Sequence, residues 1–277
     1  MIDFTPLNCF TNEVKDFVEN SGCENSLIHS DIFFGLPLKI KGKDNLLHAH
    51  CIEIENMFHS TNIFMPTFNY DFCKGLPYNI NQDKSQVGTI SEYYRLNFSN
   101  WRTMTPVFNF CGNNIKPKEN FQNNIDPFDI DSTFGFLYEQ NSLLVHYGSP
   151  FSTTTLIHFA ERISNNLIYR YDKLFNGTII NESLEYNINL IYHVRPKNII
   201  QDYDWNSLQM ELITNKILKV FKYKGAVILI CKISEIVDYW LTKINLDPFY
   251  LLDAKSKYIA LEAFNKYNRK FVINDFE

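Results

Sequence analysis

Features that the sequence lacks exclude several classes of protein. No apolar run reaches membrane-spanning length, the longest being residues 226–231, and residues 1–17 contain acids and no continuous apolar stretch. We therefore expect neither a signal peptide nor a membrane span, and a cytoplasmic protein without a membrane partner. The 26 Lys and Arg residues are scattered and are outnumbered by 31 Asp and Glu residues, for a net charge of -5. Because there is no basic stripe, a nucleic-acid polymer is not expected as a partner.

The cysteines show no C-x-x-C pair and no regular spacing. They are Cys9, Cys23, Cys51, Cys73, Cys111 and Cys231. This pattern argues against a zinc site and against a disulfide framework, so we expect reduced, mostly buried thiols and no metal. A cysteine nucleophile would need a nearby histidine, and no local pattern singles one out.

The composition is that of a folded enzyme, with 45% hydrophobic and 21% charged residues among 277. No period of 20 to 50 residues repeats and no low-complexity linker divides the chain. We expect a single α/β domain over residues 1–277, with a mainly helical C-terminal part at about 233–277. That part could pack on a second copy, so the oligomeric state stays open, with a homodimer as one option.

Apolar periodicity predicts the order of the elements. The chain starts with a helix (10–20), a strand (26–30), a helix (44–59) and a strand (62–65), which favours parallel pairing. Long functional loops are predicted over 69–125, broken by a helix near 89–97. Then follow a strand (142–147), a helix (153–164), a strand or hairpin (183–195), a helix (204–221), a strand (225–231) and helices from 233. We predict a mixed central β-sheet flanked by helices on both faces.

The segment HYGSPFSTTTLIHFAER, residues 146–162, is the most informative. A strand that stops at Gly-Ser-Pro and leads into Ser and Thr residues places hydroxyls and free backbone N–H groups at a helix start. His158 follows within two turns, where the helix dipole favours the neutral imidazole that a general base needs. The alternative is that Ser152 or Thr153 caps the helix and that His158 is a structural core residue.

Six segments together resemble, in the same order, the aminoglycoside 3-N-acetyltransferase family. They are SLIHSDIFFGL (26–36), NIFMPTFNY (62–70), SQVGTISEYYR (85–95), RTMTPVFNFCG (102–112), DSTFGFLYEQNSLLVHYGSPFSTTTLIHFAER (131–162) and YKGAVILICKISEIVDYWL (223–241). The resemblance covers about residues 24–245. It implies an N-acyltransferase that uses a coenzyme A thioester, acetyl or longer, as co-substrate, with a cleft for acyl-CoA between long loops.

The resemblance also implies roles for individual residues. His158 falls on the family's catalytic His, which takes a proton from the acceptor amine as that amine attacks the thioester carbonyl. The expected coenzyme A contacts are His29, Ser30, Asp31, Thr67, Ser85, Val87, Gly88, Arg102 and Thr103, with Asp31 replacing a Ser of the family.

Two departures from the family's pattern concern the base. The family's His-Pro is Thr105-Pro106 here, and the acidic stretch that supplies a Glu to orient the catalytic His is replaced by INLIYHVRPKN, residues 188–198. His193 and Glu161 are conceivable substitutes for that Glu, although we expect Glu161 to be a surface acid.

The missing acids shape the expected acceptor. A polycationic aminoglycoside calls for a densely acidic pocket, whereas the loops here offer amides, aromatics and bases, among which Asn69, Tyr70, His193 and Arg195 are the expected substrate contacts. We therefore expect a nucleotide-linked (dTDP- or UDP-) amino-deoxy sugar as the small-molecule acceptor, for surface polysaccharide biosynthesis. The first alternative is aminoglycoside 3-N-acetylation conferring antibiotic resistance, and the second is a non-catalytic relative that binds coenzyme A or a sugar.

Overall fold

Two β-sheets and eight helices make up the described part of the fold. The computed structural model describes residues 6–119 and 124–277. The strands are β1 (Asn25–Ser30), β2 (Asn62–Pro66), β3 (Tyr78–Asn79), β4 (Trp101–Arg102), β5 (Phe110–Gly112), β6 (Asn124–Ile125), β7 (Ser142–Tyr147), β8 (Tyr171–Asn181), β9 (Leu184–Val194), β10 (Lys219–Tyr223) and β11 (Ala226–Lys232). The helices are α1 (Leu7–Asn20), α2 (Lys43–Met57), α3 (Thr89–Asn97), α4 (Thr133–Glu139), α5 (Leu156–Ile163), α6 (Trp205–Thr214), α7 (Ile233–Leu246) and α8 (Ala254–Tyr267).

The central sheet is mixed and has seven strands in the order β10-β11-β7-β1-β2-β5-β4. β7, β1 and β2 are parallel, and β11 and β5 flank them in antiparallel orientation. Because β1 connects through α2 to β2 on one side and pairs with β7 on the other, the strand order reverses at β1. In open α/β sheets a ligand crevice forms at such a point, beyond the carboxyl ends of the strands.

Alternating side chains give this sheet two apolar faces. Leu27 and Leu144 pack into one core with Trp240 of α7, whereas Ile28 and Val145 pack into the other with helices α1 and α2. The two-residue period of a strand produces this division. The predicted mixed sheet with helices on both faces is confirmed.

A second sheet of four strands, in the order β3-β8-β9-β6, was not foreseen as a separate unit. Its centre is an antiparallel hairpin of two 11-residue strands, β8 and β9. The sequence predicted only a strand or hairpin over 183–195. The β8 strand, YDKLFNGTIIN, does not alternate polar with apolar residues, and most of its side chains are half-buried or exposed.

Two predicted elements were wrong in extent. The helix expected over 204–221 ends at Thr214, because Lys216 adopts a left-handed conformation with φ 61° and the alternating segment Lys219–Tyr223 then forms β10. The helix expected from residue 153 begins at Leu156, after a 3-10 turn at Phe151–Thr153.

The predicted loop region 69–125 contains short strands besides the expected helix α3. Residues 120–123 of that region lie outside the described residues. Within 6–119 and 124–277, no helix is both long and apolar enough to cross a membrane. The same ranges contain no group of three His, Cys, Asp or Glu side chains arranged to hold a metal ion.

Candidate active site

The turn after β7 requires a glycine and directs the chain into the site. Gly148 has φ +71°, and a Cβ there would lie 2.3 Å from Gly35 N and 2.4 Å from Asp31 O. L-residues with side chains rarely adopt this conformation, and the neighbouring backbone leaves no space for one. The turn therefore packs the end of β7 against the loop that follows β1, so that the segments carrying His29 and His158 meet.

His158 is paired with an acid of its own helix. Its Nδ1 lies 3.0 Å from Oε2 of Glu161, three residues on and therefore on the same helix face. The Tyr203 hydroxyl lies 3.1 Å from the same nitrogen. A carboxylate beside Nδ1 favours the tautomer with the proton on Nδ1, which leaves the lone pair of Nε2 free to accept a proton.

Glu161 is a buried anion, so the expectation of a surface acid was wrong. Its side chain is 0% exposed, and Arg170 Nε lies 2.8 Å from Oε2. The Tyr169 hydroxyl donates to Oε1 at 2.9 Å. Burial acts to raise the pKa of Glu161, but Arg170 and the hydrogen bond from His158 outweigh it and lower that pKa to about 2. The His-Glu pair that the sequence put in doubt is therefore present, with its carboxylate supplied by the next helical turn.

The environment keeps His158 neutral. Burial lowers the pKa of His158 below its usual 6.5, while the hydrogen bond to Glu161 acts in the opposite direction. The side chain nevertheless remains 25% exposed. An imidazole that is neutral at physiological pH, accessible and oriented by a carboxylate has the properties of a general base.

Two clefts meet at His158. The larger has a volume of about 740 Å³ and extends past the carboxyl end of β1 and the first turn of α3. The smaller, of about 560 Å³, is lined by side chains of β9 and of the segment before α6. His158, Ser152 and Trp205 line both clefts. Two substrates can thus approach one imidazole from different sides, the arrangement that direct transfer between them requires.

Five of the nine expected coenzyme A contacts line the larger cleft: His29, Ser30, Asp31, Val87 and Gly88. Ser30 Oγ lies 3.4 Å from Ser91 Oγ, which joins the end of β1 to the first turn of α3. Ser85 does not line the cleft, and its hydroxyl instead donates to the carbonyl of Val87 at 2.7 Å.

Arg102, Thr67 and Thr103 are the main corrections to the expected cleft. Arg102 is 6% exposed and donates to Thr67 Oγ1, Thr67 O, the Asn109 side chain and the carbonyls of Ile80 and Asp83. Thr103 is 0% exposed and its hydroxyl accepts from the backbone N–H of Phe110 at 2.9 Å. A buried guanidinium whose three nitrogens all donate to protein acceptors holds loops together, and Arg102 lines neither cleft.

Of the expected substrate contacts, Tyr70 lines the larger cleft and Arg195 the smaller. Asn69 is buried and serves the loop, because its amide donates to Lys84 O at 3.0 Å and accepts from Asp71 N at 2.9 Å. His193 is 4% exposed and its Nδ1 lies 2.8 Å from Asp172 Oδ1, so it lines neither cleft and does not replace the orienting Glu.

A stacked pair of histidines lies beneath the larger cleft. The rings of His29 and His146 are 5.2 Å apart and nearly parallel, and His146 contacts Ser149 Oγ at 3.0 Å and Thr154 Oγ1 at 2.9 Å. Burial lowers the pKa of His29 to about 4, and burial together with His29 lowers that of His146. Both rings are therefore neutral at physiological pH, and within the described residues Nε2 of His29 is buried without a hydrogen-bond partner.

Sequence reasoning missed most of the support for the base. Arg170 belongs to no motif in the sequence, and the only local signal near Tyr203 is the start of the helix that follows it. The tertiary fold brings Tyr203 to His158 and Arg170 to Glu161. Glu161 was the exception, since its spacing of three from His158 on a helix already places the two side chains on one face.

Solved structures similar to this chain include an aminoglycoside acetyltransferase, AAC(3)-IVa. The AAC-IIIb binary complex with CoASH has a TM-score of 0.66 at 11% identity, covering 85% of this chain and 96% of that one. AAC(3)-IVa in complex with apramycin has a TM-score of 0.64 at 14% identity and coverages of 86% and 93%. The YokD protein from Bacillus subtilis has a TM-score of 0.64 at 16% identity and coverages of 86% and 93%. At these identities the likeness establishes the fold.

A family model described as aminoglycoside 3-N-acetyltransferase matches residues 55–244. A comparison with curated protein sequences gives no significant match. The expectation of a nucleotide-linked amino sugar was wrong, because the family and the similar structures concern aminoglycosides and none concerns a nucleotide sugar. That expectation rested on a shortage of acids in the loops.

The family match spans more than two thirds of the chain and includes His158, Glu161 and the first turn of α3. It confirms the prediction of an acyltransferase with an acyl-CoA co-substrate. The chain belongs to the aminoglycoside 3-N-acetyltransferase family.

Proposed function

We propose that this protein transfers an acetyl group from acetyl-CoA to an amine of an aminoglycoside, with His158 as the general base. The single observation that carries the proposal is the position of His158 at the junction of the two clefts, with Glu161 behind its Nδ1. We further propose that residues 1–277 act as one domain in the cytoplasm.

We assign the acyl donor to the larger cleft. Its volume of about 740 Å³ falls in the range of sites for large organic ligands. The wall combines apolar side chains with serine and threonine hydroxyls. Among the residues that the structure describes, the buried Nε2 of His29 has no hydrogen-bond partner, and a polar ligand could supply one. His29, Ser30, Asp31, Val87 and Gly88 are the proposed contacts, and the thioester supplies the activated acetyl group.

The reaction is a direct transfer. The acceptor amine attacks the thioester carbonyl, the new C–N bond forms as the C–S bond breaks, and Nε2 of His158 takes the proton that the nitrogen releases. Coenzyme A leaves as its thiolate, which takes that proton from the imidazolium and departs as the thiol. Glu161 stabilises the resulting imidazolium, because its buried carboxylate faces Nδ1 at 3.0 Å. The hydroxyl of Ser152 lines both clefts together with His158 and has no protein partner within the described residues, so it is the proposed donor that polarises the carbonyl.

The smaller cleft is the proposed acceptor site. Tyr192, Tyr203 and Trp205 give it an aromatic lining suited to the apolar faces of sugar rings. Asp202, whose side chain is 67% exposed, is available for a substrate ammonium group.

His158→Asn tests the proposed base. Removing a general base typically lowers turnover by about 100- to 10000-fold, so kcat for thiol release from acetyl-CoA with an aminoglycoside should fall by at least about 100-fold, while acetyl-CoA binding persists. His59→Asn, an exposed histidine at the end of α2, is the matched control and should keep wild-type turnover. Retention of wild-type turnover by His158→Asn would remove His158 from its role.

The acceptor class is tested with the amines bound in the similar structures. Apramycin, gentamicin and sisomicin are the first compounds to assay. Acetylation at an amino group, located by mass spectrometry and NMR of the product, supports the proposal. Release of thiol with none of these amines, under conditions where acetyl-CoA binds, would refute the aminoglycoside as the acceptor.

A further inference from the structure

Phe33 is an unusually exposed aromatic residue on the wall of the donor cleft. Its side chain is 86% exposed, although it lines the cleft together with His29 and Ser30. A single exposed apolar residue needs no explanation, but a phenylalanine held at the mouth of a ligand cleft marks a contact surface.

The exposure of Phe33 does not come from a loose loop. The backbone N–H of Asp31 donates to Tyr147 O at 2.9 Å, and the carbonyl of Phe34 accepts from Val227 N at 3.1 Å. The Asp31 carboxylate accepts from the Phe33 N–H at 2.9 Å, which closes a tight turn. The backbone on both sides of Phe33 is therefore fixed while its ring faces solvent, a pre-organised platform for a flat ligand group.

Lys43 lines the same cleft at the start of α2. The N-cap residue Gly42 provides no side-chain cap, so the first backbone N–H groups of α2 have no side-chain acceptor. A lysine at the first helical position also opposes the helix dipole. A bound anion would offset both penalties at once.

The local charge suits such an anion. Lys39, Lys41 and Lys43 occur within five residues in a chain of net charge -5. Within the described ranges Lys43 has no ion-pair or hydrogen-bond partner. Asp44 lies in the first turn of α2 but does not line the cleft. Among the described residues that line it, Asp31 alone has a carboxylate, and this carboxylate accepts from the Phe33 N–H.

We propose that Phe33 and Lys43 bind the adenosine end of the acyl donor: the Phe33 ring stacks on adenine, and Lys43 with the first turn of α2 pairs with the 3′-phosphate. The inference rests on the proposed function, because it requires coenzyme A in this cleft. It adds a specificity element that the motif comparison did not include, since neither residue was among the expected contacts. Adenine and the 3′-phosphate sit on one ribose, which calls for one aromatic and one cationic group in the same cleft, and Phe33 and Lys43 both line it.

Binding measured by calorimetry tests the inference without turnover. Stacking of a base on an aromatic side chain predicts that Phe33→Ala weakens CoA binding by about 5- to 150-fold. Lys43→Gln should reduce the preference for CoA over 3′-dephospho-CoA by about threefold to tenfold. The chain offers matched controls in Phe34→Ala and Lys41→Gln, because Phe34 is 58% exposed on the same loop and neither residue lines the cleft. Both controls should bind like the wild type.

Failure of the inference and failure of the proposed function give different results. If the wild type binds CoA and Phe33→Ala binds it equally well, the adenine contact is refuted while the donor cleft stands. Equal losses in Phe33→Ala and Phe34→Ala, or an unchanged CoA to 3′-dephospho-CoA ratio in Lys43→Gln, would also overturn the inference. Absence of CoA binding by the wild type would instead refute the proposed function. All substitutions are at exposed positions, and thermal unfolding of each variant verifies that it is folded.

Discussion

Replacing Glu161 by glutamine isolates the electrostatic part of the proposed mechanism. Glutamine keeps the size of the side chain and an oxygen that can still accept from Nδ1 of His158, so the geometry of the base is largely retained. What disappears is the negative charge 3.0 Å from the imidazole. This charge matters when His158 becomes cationic, which happens in the transition state and not in the resting enzyme.

The size of the effect follows from the contacts of the carboxylate. Two unit charges about 4 Å apart interact by about 4 kcal/mol at an effective dielectric constant of 20, and the pairing of Arg170 with the same oxygen at 2.8 Å reduces what His158 gains. We expect a loss of about 2–4 kcal/mol of transition-state stabilisation, hence a fall in kcat of about 30- to 1000-fold. Arg170 would also lose its buried partner, at a cost of about 3–5 kcal/mol in the free energy of unfolding.

A pH profile separates the catalytic role of Glu161 from a purely structural one. The carboxylate raises the pKa of His158, so its loss should move the acid limb of kcat/KM to lower pH while the plateau falls. Glu139→Gln, at an exposed carboxylate ending α4, is the control for loss of one charge. Wild-type kcat in a folded Glu161→Gln variant, or a reduced kcat with an unmoved acid limb, would refute this reasoning.

Three further predictions concern charge. Burial lowers the pKa of His158, and the neutral ring is the active form. As the pH is raised, kcat/KM of the wild type should therefore increase with an apparent pKa below 6.5 and then level off. An apparent pKa above 6.5 for this acid limb would contradict the prediction. Burial lowers the pKa of His29 to about 4 and also lowers that of His146, so on acidification these two residues take up protons in the unfolded chain before they do so in the folded protein. The free energy of unfolding, measured with urea, should therefore fall from pH 6.5 to pH 4, by about 3 kcal/mol for His29 alone. A free energy of unfolding that does not change over this range would contradict the prediction. Arg195 lies 3.7 Å from Asp202 and would compete with a substrate ammonium group for that carboxylate. Arg195→Gln should therefore lower KM for an aminoglycoside, and Asp202→Asn should raise it several-fold, both at unchanged kcat. Shifts of KM in the same direction in the two variants would exclude this competition.

The central sheet was predictable because its strands are short apolar runs bounded by turns. The expected strands 26–30, 62–65 and 142–147 match β1, β2 and β7 to within one residue at each end. The segment 204–221 failed because apolar spacing alone does not register a left-handed residue, and Lys216 ends the helix after Thr214. β8 was missed because its sequence, YDKLFNGTIIN, lacks the regular alternation of apolar and polar residues that marks a half-buried strand.

The site was predictable where a motif fixed both residue and place, as for His158. It was not predictable where a side chain's partners come from distant segments. Arg102 was expected to bind phosphate because arginine commonly does so, yet the fold surrounds it with acceptors from three loops. Glu161 was judged a surface acid because acids in helices usually are, and Arg170, brought from the start of β8, reverses that outcome by making burial of the charge favourable.

Charge pairing in the acceptor cleft limits how it can recognise a polycation. Arg170 is neutralised by Glu161, and the charges of Arg195 and Asp202 are close enough to pair. The cleft therefore presents little net charge, although an aminoglycoside brings several ammonium groups. Since exposed ion pairs contribute at most about 1 kcal/mol, a substrate ammonium can displace Arg195 from Asp202 at little cost. On the proposed assignment of this cleft to an aminoglycoside, we expect recognition to depend on one exchangeable carboxylate and on aromatic contacts, and to favour acceptors whose reactive amine has few charged neighbours.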